Sequence, residues 1–361
     1  MNHGLALKSL PLVALFLALS PAALASNTWY VDGVHGSDSN NCKSRQRACK
    51  TIGHAISLAS SGDSILVADA IYQENLTINV SLNLIGSDAA TTIIDGQARR
   101  RVVYICNNPV AHVTLARLTI RNGLGGIGFC SGTLTINNST VSGNWLGGRD
   151  ASGAGLFNNR GEVAINNSTF EGNHNAGGPA GFGGGIYNAG GTVIINNSTI
   201  SGNSALYGGG IANGISSTLT ISNSTISRNR AQVGGGGDIE TEPGGTVSLQ
   251  NSIVAASLLG GNCSGTMTSN GYNLSSDGTC SFNSTGDLND TKPKLGKLGN
   301  YGGPTQTIPL LPGSPAIDAG NPNGCTDRQG HLLTTDQRGR PRPDKEDSSG
   351  CDMGAYERQK D

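Results

Sequence analysis

Aromatic and charged residues are scarce in this chain of 361 residues, at 4% and 14% of the total. The scarcity excludes a core built on large rings, so aliphatic and polar side chains must supply the order. The formal net charge is −1 at pH 7, which excludes the clustered basic surface that binds nucleic acid through its phosphates. Arg99, Arg100 and Arg101 form the one basic run, which we expect to be a solvated turn.

Long apolar runs are missing after residue 25. Before that point, Lys8 precedes the run "LPLVALFLALSPAALA", in which Ala23 and Ala25 form an A-x-A cleavage pattern. This arrangement is typical of a secretory signal peptide, here residues 1–25. No later run is long enough to span a bilayer. We therefore expect a secreted mature chain that has no transmembrane segment.

The cysteines are even in number and spread along the exported chain. An even number in an oxidising compartment predicts disulfides. A metal site would need short paired spacings with histidine nearby, and the sequence has none. Cys42 and Cys49 are close enough along the chain to pair. The residues predicted to form disulfides are Cys42, Cys49, Cys106, Cys130, Cys263, Cys280, Cys325 and Cys351.

Glycine, by contrast, is abundant at 55 residues, and one short phrase recurs between the glycine tracts. Aligned on "NST" and the looser "QNSIVAAS", the serines follow one another at steps of 29, 30, 26 and 28 residues. Such a period indicates stacked supersecondary units, and alternating segments such as "TVIIN" are typical of short strands. One coil per repeat predicts a parallel β-helix. The aligned serines are Ser139, Ser168, Ser198, Ser224 and Ser252.

The apolar residue after each glycine tract gives a second register. If this column points into the core, its neighbours along each strand point outward. Cys106 and Cys130 each lie three places after a column residue, so they occupy equivalent positions of adjacent coils about 4.8 Å apart, which suits a disulfide. The column is Val103, Ile127, Leu156, Ile186, Ile211 and Ile239.

The recurring "NNST" and "SNST" segments also contain the N-x-[ST] glycosylation sequon. We prefer a structural interpretation. An asparagine at one place in every coil can stack into a side-chain hydrogen-bond ladder, or hold a turn through its tolerance of left-handed backbone.

The N-terminal region predicts a cap on the solenoid. In "KTIGHAISLAS", Ile52, Ala55, Ile56 and Ala59 share one helical face, so a short amphipathic helix is expected to plug the first coil. We divide the mature chain into a cap with the first coil (26–98), the repeats (99–285) and a C-terminal module (286–361).

Several segments resemble known families. "WYVDGVHGSDSN", "CKTIGHAISLASSGDSILVADAIYQENLTI" and "TTIIDG" resemble the opening of secreted bacterial right-handed parallel β-helix proteins, whose fold is similar to that of pectate lyases. "FEGN" and "GGGI" resemble repeats of polymorphic outer-membrane proteins, which are adhesin-like. "LGNYGGPTQTIPLLPGSPAIDAGNP", "TDQRGRPRP" and "CDMGAYE" resemble the choice-of-anchor Q domain. These resemblances imply an all-β, right-handed, pectate-lyase-like solenoid at the cell surface.

The outward positions on the glycine-tract strands supply the candidate site. Phe157 and Tyr187 are expected side by side, and "GGGGDIETE" is expected to place Asp238 and Glu240 on the same face. Aromatic rings pack on sugar faces, and carboxylates accept hydrogen bonds from hydroxyls. We therefore predict a glycan-binding face that contains these four residues. The outward row is Tyr104, Gly128, Phe157, Tyr187, Ala212 and Glu240.

Catalysis is the alternative. Asp238 and Glu240, about 6.6 Å apart on a strand, could serve as acid and base on a glycosidic bond, or could hold Ca²⁺ in a lyase. "DGVHGSDSNN" and "TDRQG" also contain possible Ca²⁺ ligands. No other cofactor is predicted.

The preferred prediction is a secreted or surface-associated interaction protein that binds a glycan or another cell-surface partner as a monomer. The alternative is a polysaccharide lyase or glycoside hydrolase acting on an acidic polysaccharide. The sequence continues for only four residues, "RQKD", after Glu357, so we expect release or non-covalent retention rather than self-anchoring.

Overall fold

A computed structural model describes residues 26–106, 111–149, 151–179, 181–327, 329–344 and 350–359. The predicted signal peptide, residues 1–25, lies outside this part of the chain. Short strands stack in parallel into three long sheets and one small sheet. The predicted parallel β-helix is therefore confirmed. Within the described ranges, no helix combines the length and hydrophobicity needed to cross a membrane.

Each coil contributes a strand to each long sheet, in the chain order sheet 1, sheet 2, sheet 3. Sheet 1 has ten strands: Thr28–Val31, Asp63–Val67, Leu82–Gly86, His112–Ala116, Thr133–Asn137, Glu162–Asn166, Thr192–Asn196, Thr218–Ser222, Thr246–Gln250 and Thr268–Ser269. Sheet 2 has nine: Ala70–Tyr72, Thr92–Asp95, Thr119–Arg121, Thr140–Ser142, Thr169–Glu171, Thr199–Ser201, Thr225–Ser227, Ile253–Ala255 and Leu274–Ser275. Sheet 3 has eight: Leu76–Thr77, Val103–Ile105, Ile127–Phe129, Leu156–Asn159, Ile186–Ala189, Ile211–Asn213, Gly236–Thr241 and Gly261–Ser264. Sheet 4, between sheets 2 and 3 in the middle coils, has four: Trp145–Leu146, His174–Asn175, Ser204–Ala205 and Arg230–Ala231.

The predicted capping helix is present as Ile52–Leu58. The Thr51 side chain accepts a hydrogen bond from the His54 backbone N–H and so caps its first turn. Ile52 and Ala55 are fully buried, while the neighbouring Ile56 and Ala59 pack partly buried against the core. The predicted apolar face thus closes the first coil. Two 3₁₀ turns complete the helical content of the described residues, at Arg45–Arg47 and Gly278–Cys280.

The core is a set of aliphatic columns that run along the solenoid axis. Strand pairing places the predicted column residues opposite one another in adjacent coils, and all six are fully buried. Because each coil stacks the same small aliphatic side chain on the next, the core needs few aromatic residues. Phe129 and Phe170 are its two fully buried phenylalanines.

The "NST" segments form the turn between sheets 1 and 2, and they are structural, as predicted. The second asparagine of each has a positive φ of 48° to 53°, for example 53° at Asn197. Its side chain also hydrogen-bonds between coils, as from Asn197 Nδ2 to Asn167 Oδ1 at 2.8 Å. The serines form a parallel ladder in which each hydroxyl accepts the backbone N–H of the equivalent serine in the preceding coil.

A further ladder, which the sequence analysis did not predict, lies wholly inside the solenoid. The asparagines of the first three "SGN"-type segments each donate Nδ2–H to the Oδ1 of the equivalent asparagine in the next coil, at 2.9 to 3.0 Å. Each of these accepting Oδ1 atoms also accepts the backbone N–H of the preceding asparagine. The ladder comprises Asn144, Asn173, Asn203 and Asn229, all with no exposed surface. We call it the inner asparagine ladder.

All eight cysteines form disulfides, which confirms the prediction. Cys42 pairs with Cys49, as expected from their proximity. Cys106 pairs with Cys130 across adjacent coils, with 4.8 Å between their Cα atoms. The remaining pairs, which the sequence left open, are Cys263–Cys280 and Cys325–Cys351.

The residues that resemble an anchor domain pack along the flank of the solenoid, over sheet 2. Gln337 is the central contact: its Nε2 donates to Thr169 Oγ1 at 2.9 Å and its Oε1 accepts from Thr199 Oγ1 at 2.6 Å. Thr225 Oγ1 accepts the backbone N–H of Ala355. The first outward-facing row of sheet 2 is therefore covered by the C-terminal residues.

Buried ion pairs hold these C-terminal residues together. Arg342 and Glu357, from the motifs "TDQRGRPRP" and "CDMGAYE", pair at 2.8 Å with no exposed side-chain surface. Arg338 pairs with Asp336 at 2.6 Å. Arg342 also donates to Asn197 Oδ1 in the solenoid. These charged residues of the two motifs therefore help to dock the C-terminal residues against the solenoid.

The inner asparagine ladder predicts a large cost for its interruption. Asn203→Ala should lower the free energy of unfolding by at least about 2 kcal/mol, because it leaves the Asn173 N–H and the Asn229 Oδ1 short of a partner, at about 1–3 kcal/mol for each buried group. Chemical denaturation followed by circular dichroism measures the change. Asn323→Ala, at an exposed turn, is the matched control, and it should change the free energy of unfolding by no more than about 0.5 kcal/mol. Equal effects of the two substitutions would contradict this role.

Candidate functional site

The outer face of sheet 3 has the predicted register. Gly128 pairs with Tyr104 and Phe157, and Tyr187 pairs with Phe157 on one side and Ala212 on the other. Ala212 in turn pairs with Glu240. These six residues therefore form one row along the solenoid axis, one residue per coil.

Four aromatic rings lie next to one another on this face, the first pair tilted and the other two pairs stacked. The Phe157 and Tyr187 ring centroids lie 6.0 Å apart, Tyr187 and Phe182 5.4 Å apart, and Phe182 and Tyr207 5.2 Å apart. Phe182 and Tyr207 come from the loops between sheets 4 and 3, where they form an isolated bridge. All four are half-buried. We call these four residues the aromatic platform.

Arg101 lies beside the platform, and the prediction that it belongs to a solvated turn is wrong. Its guanidinium donates to the carbonyl oxygens of Ile127, Ser152 and Gly153, at 2.9 to 3.2 Å. Burial lowers the pKa of Arg101 to about 10. A side chain at Gly128 would collide with the Arg101 stem.

A cleft of about 330 Å³ opens between Arg101, Arg149 and Phe157. The Arg101 guanidinium carbon lies 5.6 Å from the centre of the Phe157 ring, within the range of a cation–π contact. No carboxylate of the described residues forms an ion pair with Arg101. This end of the platform therefore offers positive charge beside an aromatic face.

The opposite end of the platform is acidic. Glu240 is half-buried, and its carboxylate accepts the Gly236 backbone N–H at 2.6 Å and the Ser264 hydroxyl at 3.2 Å. The Glu242 carboxylate and the Tyr187 hydroxyl lie close together beside Gly214, and burial raises the pKa values of both groups. Sugar hydroxyls that reach this end would therefore meet carboxylate and phenol oxygens.

Asp238 does not lie on this face, and its predicted place in a ligand site is corrected. Its side chain is fully buried. Its Oδ1 accepts the Asn229 Nδ2–H at 2.8 Å and the Asn229 backbone N–H at 3.2 Å. Its Oδ2 has no hydrogen-bond partner among the described residues. Burial raises the pKa of this carboxyl well above its ordinary value.

Asp238 is instead the last member of the inner asparagine ladder. Asp238 accepts a backbone and a side-chain hydrogen bond from Asn229, just as Asn229 accepts a backbone and a side-chain hydrogen bond from Asn203. In the next coil, Ser257 stands where the asparagine would be, five positions after Ser252 as Asn229 is after Ser224. The Ser257 hydroxyl donates to the Asn229 carbonyl oxygen, and the Asp238 carboxyl accepts from the Asn229 N–H and Nδ2–H in the place of the missing asparagine.

The backbone explains why Asp238 points inward. The equivalent positions in earlier coils are glycines, and a Cβ added to Gly155, Gly185 or Gly210 would meet the asparagine ladder at 2.9 to 3.2 Å. In these earlier coils, a side chain at this position would therefore face the interior, just before the sheet 3 strand begins. A register irregularity between Gly236 and Ile239 makes room for the aspartate. The alternation of inward and outward side chains, which the sequence analysis used to place Asp238 beside Glu240, does not hold at this position.

The predicted catalytic pair is consequently not formed. Glu240 faces outward and Asp238 faces the core, so the two carboxylates do not flank a common ligand. The predicted Ca²⁺ candidates have local uses as well. Asp32 and Asp327 each accept backbone N–H groups of their own loops, and Asp38 accepts those of Lys50 and Thr51.

One group of three potential metal ligands occurs among the described residues, and it consists of Cys42, Cys49 and His54. Its two cysteines are joined in a disulfide, which removes the thiolates that a metal would need. No cluster of carboxylates suited to Ca²⁺ was found in the same part of the chain.

No known family matches the chain, and no curated protein matches it. Seven chains of solved structures do. The pectate lyase Pel9A is 12% identical, with a TM-score of 0.50, over 92% of this chain and 96% of that chain. The pectin methylesterase from Aspergillus niger, in its deglycosylated form, is 16% identical, with a TM-score of 0.32, over 73% of this chain and 86% of that chain. The similarity to Pel9A shows a right-handed, pectate-lyase-like parallel β-helix, and no anchor domain was identified.

The position of Asp238 predicts an unusual effect of pH. Because its folded-state pKa is raised, the folded chain holds this proton more tightly than the unfolded chain, and the free energy of unfolding falls as pH rises above the ordinary carboxyl range. Asp238→Asn removes that loss. The free energy of unfolding of this variant should therefore fall less between pH 4 and pH 7 than that of the unaltered protein.

Denaturation at several pH values measures this effect. Glu240→Gln is the matched control, since it removes a carboxylate from the same strand at a solvent-facing position and leaves the buried Asp238 carboxyl in place. An equal fall in the free energy of unfolding of Asp238→Asn and of the unaltered protein between pH 4 and pH 7 would contradict this assignment.

A paired substitution tests the ladder directly. Asp238→Gly should destabilise the protein, because the Asn229 backbone N–H then loses its acceptor and Asn229 Nδ2 keeps only the carbonyl oxygens of Ile200 and Ser227. Adding Ser257→Asn should restore most of the loss, since it rebuilds the arrangement of the earlier coils. Melting temperatures of the two single variants and the double variant measure the coupling. Additive losses would contradict the exchange of roles between Asp238 and Ser257.

Proposed function

We propose that the protein is a secreted, surface-associated interaction protein that binds a polysaccharide along the aromatic platform. The observation that carries this proposal is the run of four adjacent aromatic rings on the outside of sheet 3. Aromatic faces are suited to the apolar faces of sugar rings, and tyrosine adds a polar end to each contact. The platform extends along the solenoid axis, so a linear polymer can follow it.

The polar groups at the ends of the platform support the same proposal. Arg101 and Arg149 offer donors beside Phe157, and Glu240 and Glu242 offer acceptors beyond Tyr187. A polysaccharide presents many hydroxyls that both donate and accept hydrogen bonds. Binding would therefore combine stacking at the centre with hydrogen bonds at the two ends.

Export is part of the proposal. Four disulfides form and persist in an oxidising compartment and are rare in cytosolic proteins. The fold is similar to that of the pectate lyase Pel9A. We infer an extracellular location and a glycan or another surface molecule as the partner, and we propose that the chain acts as a monomer.

Removal of the two central rings tests the proposal. The Phe157→Ala/Tyr187→Ala variant should lose about tenfold in affinity, since each ring contact is worth about 0.5–1.5 kcal/mol. The measurement is affinity electrophoresis on a panel of acidic and neutral polysaccharides, with and without Ca²⁺. Circular dichroism and the melting temperature check the fold of each variant.

Tyr301→Ala is the matched control, because Tyr301 is an exposed ring outside the platform, 40% exposed, in the C-terminal residues. It should leave affinity unchanged. Assays for new reducing ends and unsaturated products run on the same samples. Retention without product supports an interaction protein, whereas turnover would replace it with the lyase or hydrolase alternative. Retention that survives loss of both rings would contradict the platform as the binding site.

A further inference from the structure

A second cleft lies on a different face of the molecule, at the seam between the solenoid and the C-terminal residues. Its volume is about 570 Å³, within the range of about 300–1,000 Å³ typical of small-ligand sites. We call it the seam cleft. Its lining includes Glu171, Ser201, Arg228, Leu258, Lys297 and Leu298.

The alternation of sheet 2 explains its floor. In the strand Thr169–Glu171, Phe170 points into the core, and Thr169 and Glu171 point outward. The C-terminal residues cover the row that contains Thr169 and Thr199, through Gln306 and Gln337. The second outward row pairs Ser142 with Glu171 and Glu171 with Ser201, and it remains as the floor of an axial cleft.

Charged side chains surround this floor without neutralising one another. Glu171 receives a single long hydrogen bond, 3.4 Å from Gln306 Nε2, and burial raises the pKa of its carboxyl. Arg228 donates to the carbonyl oxygens of Leu295 and Gly296, at 3.3 and 2.7 Å. No ion pair among the described residues involves Glu171, Arg228 or Lys297.

Arg228 is held in place by the C-terminal residues rather than by an acid. Its two carbonyl contacts use one nitrogen of the guanidinium, and a guanidinium has five N–H donors. Lys297 is exposed and has three donors on a flexible stem. The cleft thus has two cations and one carboxylate, an excess of one positive charge.

We propose that the seam cleft binds a sugar acid, a small ring that carries one carboxylate and several hydroxyls. Lys297 and Arg228 bind the carboxylate through charge-assisted hydrogen bonds. Glu171 and Ser201 accept hydrogen bonds from hydroxyls, and Leu258 and Leu298 cover an apolar face of the ring. The site does not depend on the aromatic platform, because it lies on sheet 2 and shares no residue with it.

The ligand is either a free sugar acid or one residue of a longer acidic glycan. Both present the same carboxylate and hydroxyls, so the probes distinguish the two sources. D-glucuronate represents the free acid, a hyaluronan tetrasaccharide represents the glycan, and D-glucose is the neutral counterpart. Isothermal titration calorimetry or ligand-observed NMR on the mature chain measures the dissociation constants.

Lys297→Gln should raise the dissociation constant for D-glucuronate at least tenfold, and Lys297→Arg should restore most of the affinity. Lys292→Gln is the matched control, an exposed lysine of the same segment that does not line the cleft, and it should bind as the unaltered protein does. The Phe157→Ala/Tyr187→Ala variant should also retain D-glucuronate. A tighter constant for the tetrasaccharide than for D-glucuronate assigns the glycan, and the reverse assigns the free acid.

Three results would overturn the proposal. D-glucose binding as tightly as D-glucuronate would show that the cations do not select the ligand. Unchanged binding by Lys297→Gln would place the ligand elsewhere. Loss of D-glucuronate binding in the Phe157→Ala/Tyr187→Ala variant would assign the acid to the aromatic platform. In that case the proposed function would stand, and the proposal of a ligand site in the seam cleft would fail.

Discussion

A line of buried side-chain amides is the interaction on which the rest of the molecule depends. In the inner asparagine ladder, from Asn173 onward, each Oδ1 accepts two hydrogen bonds from the preceding coil, as Asn203 Oδ1 does from Asn173. A buried amide without partners is costly, so each of these coils must place the same residue at the same point. The repetition of "SGN" in the sequence follows from this requirement.

The same requirement leaves the outer faces free to differ. Small residues where the backbone turns past the ladder, such as Gly155 and Gly185, keep the interior uniform. Outward positions carry no such constraint, and one row of sheet 3 therefore passes from Tyr104 through Phe157 and Tyr187 to Glu240. In sheet 2, one outward row docks the C-terminal residues and the other outward row lines the seam cleft. The two proposed binding sites thus both lie on the exterior of a repetitive frame.

Repetition also decides what could be predicted from the sequence. The column from Val103 to Ile239, the Cys106–Cys130 disulfide and the neighbours Phe157 and Tyr187 follow from the period, because parallel stacking places equivalent residues together. Asp238 was misplaced because the backbone at this position of every coil directs a side chain towards the inner asparagine ladder, so the two-residue alternation does not reach it. Contacts between distant segments, such as Arg101 over Gly128 or Gln337 against Thr199, have no period and could not be predicted in this way.

Hydrogen–deuterium exchange of the mature chain, with and without a retained polysaccharide, tests the central claim most directly, because it reports every face at once. Ligand on the aromatic platform should protect the loops that carry Phe182 and Tyr207 and the strand Leu156–Asn159, while sheet 1 remains unchanged. Protection confined to sheet 1 or to the capping helix Ile52–Leu58 would contradict the claim that the platform is where this protein meets its glycan.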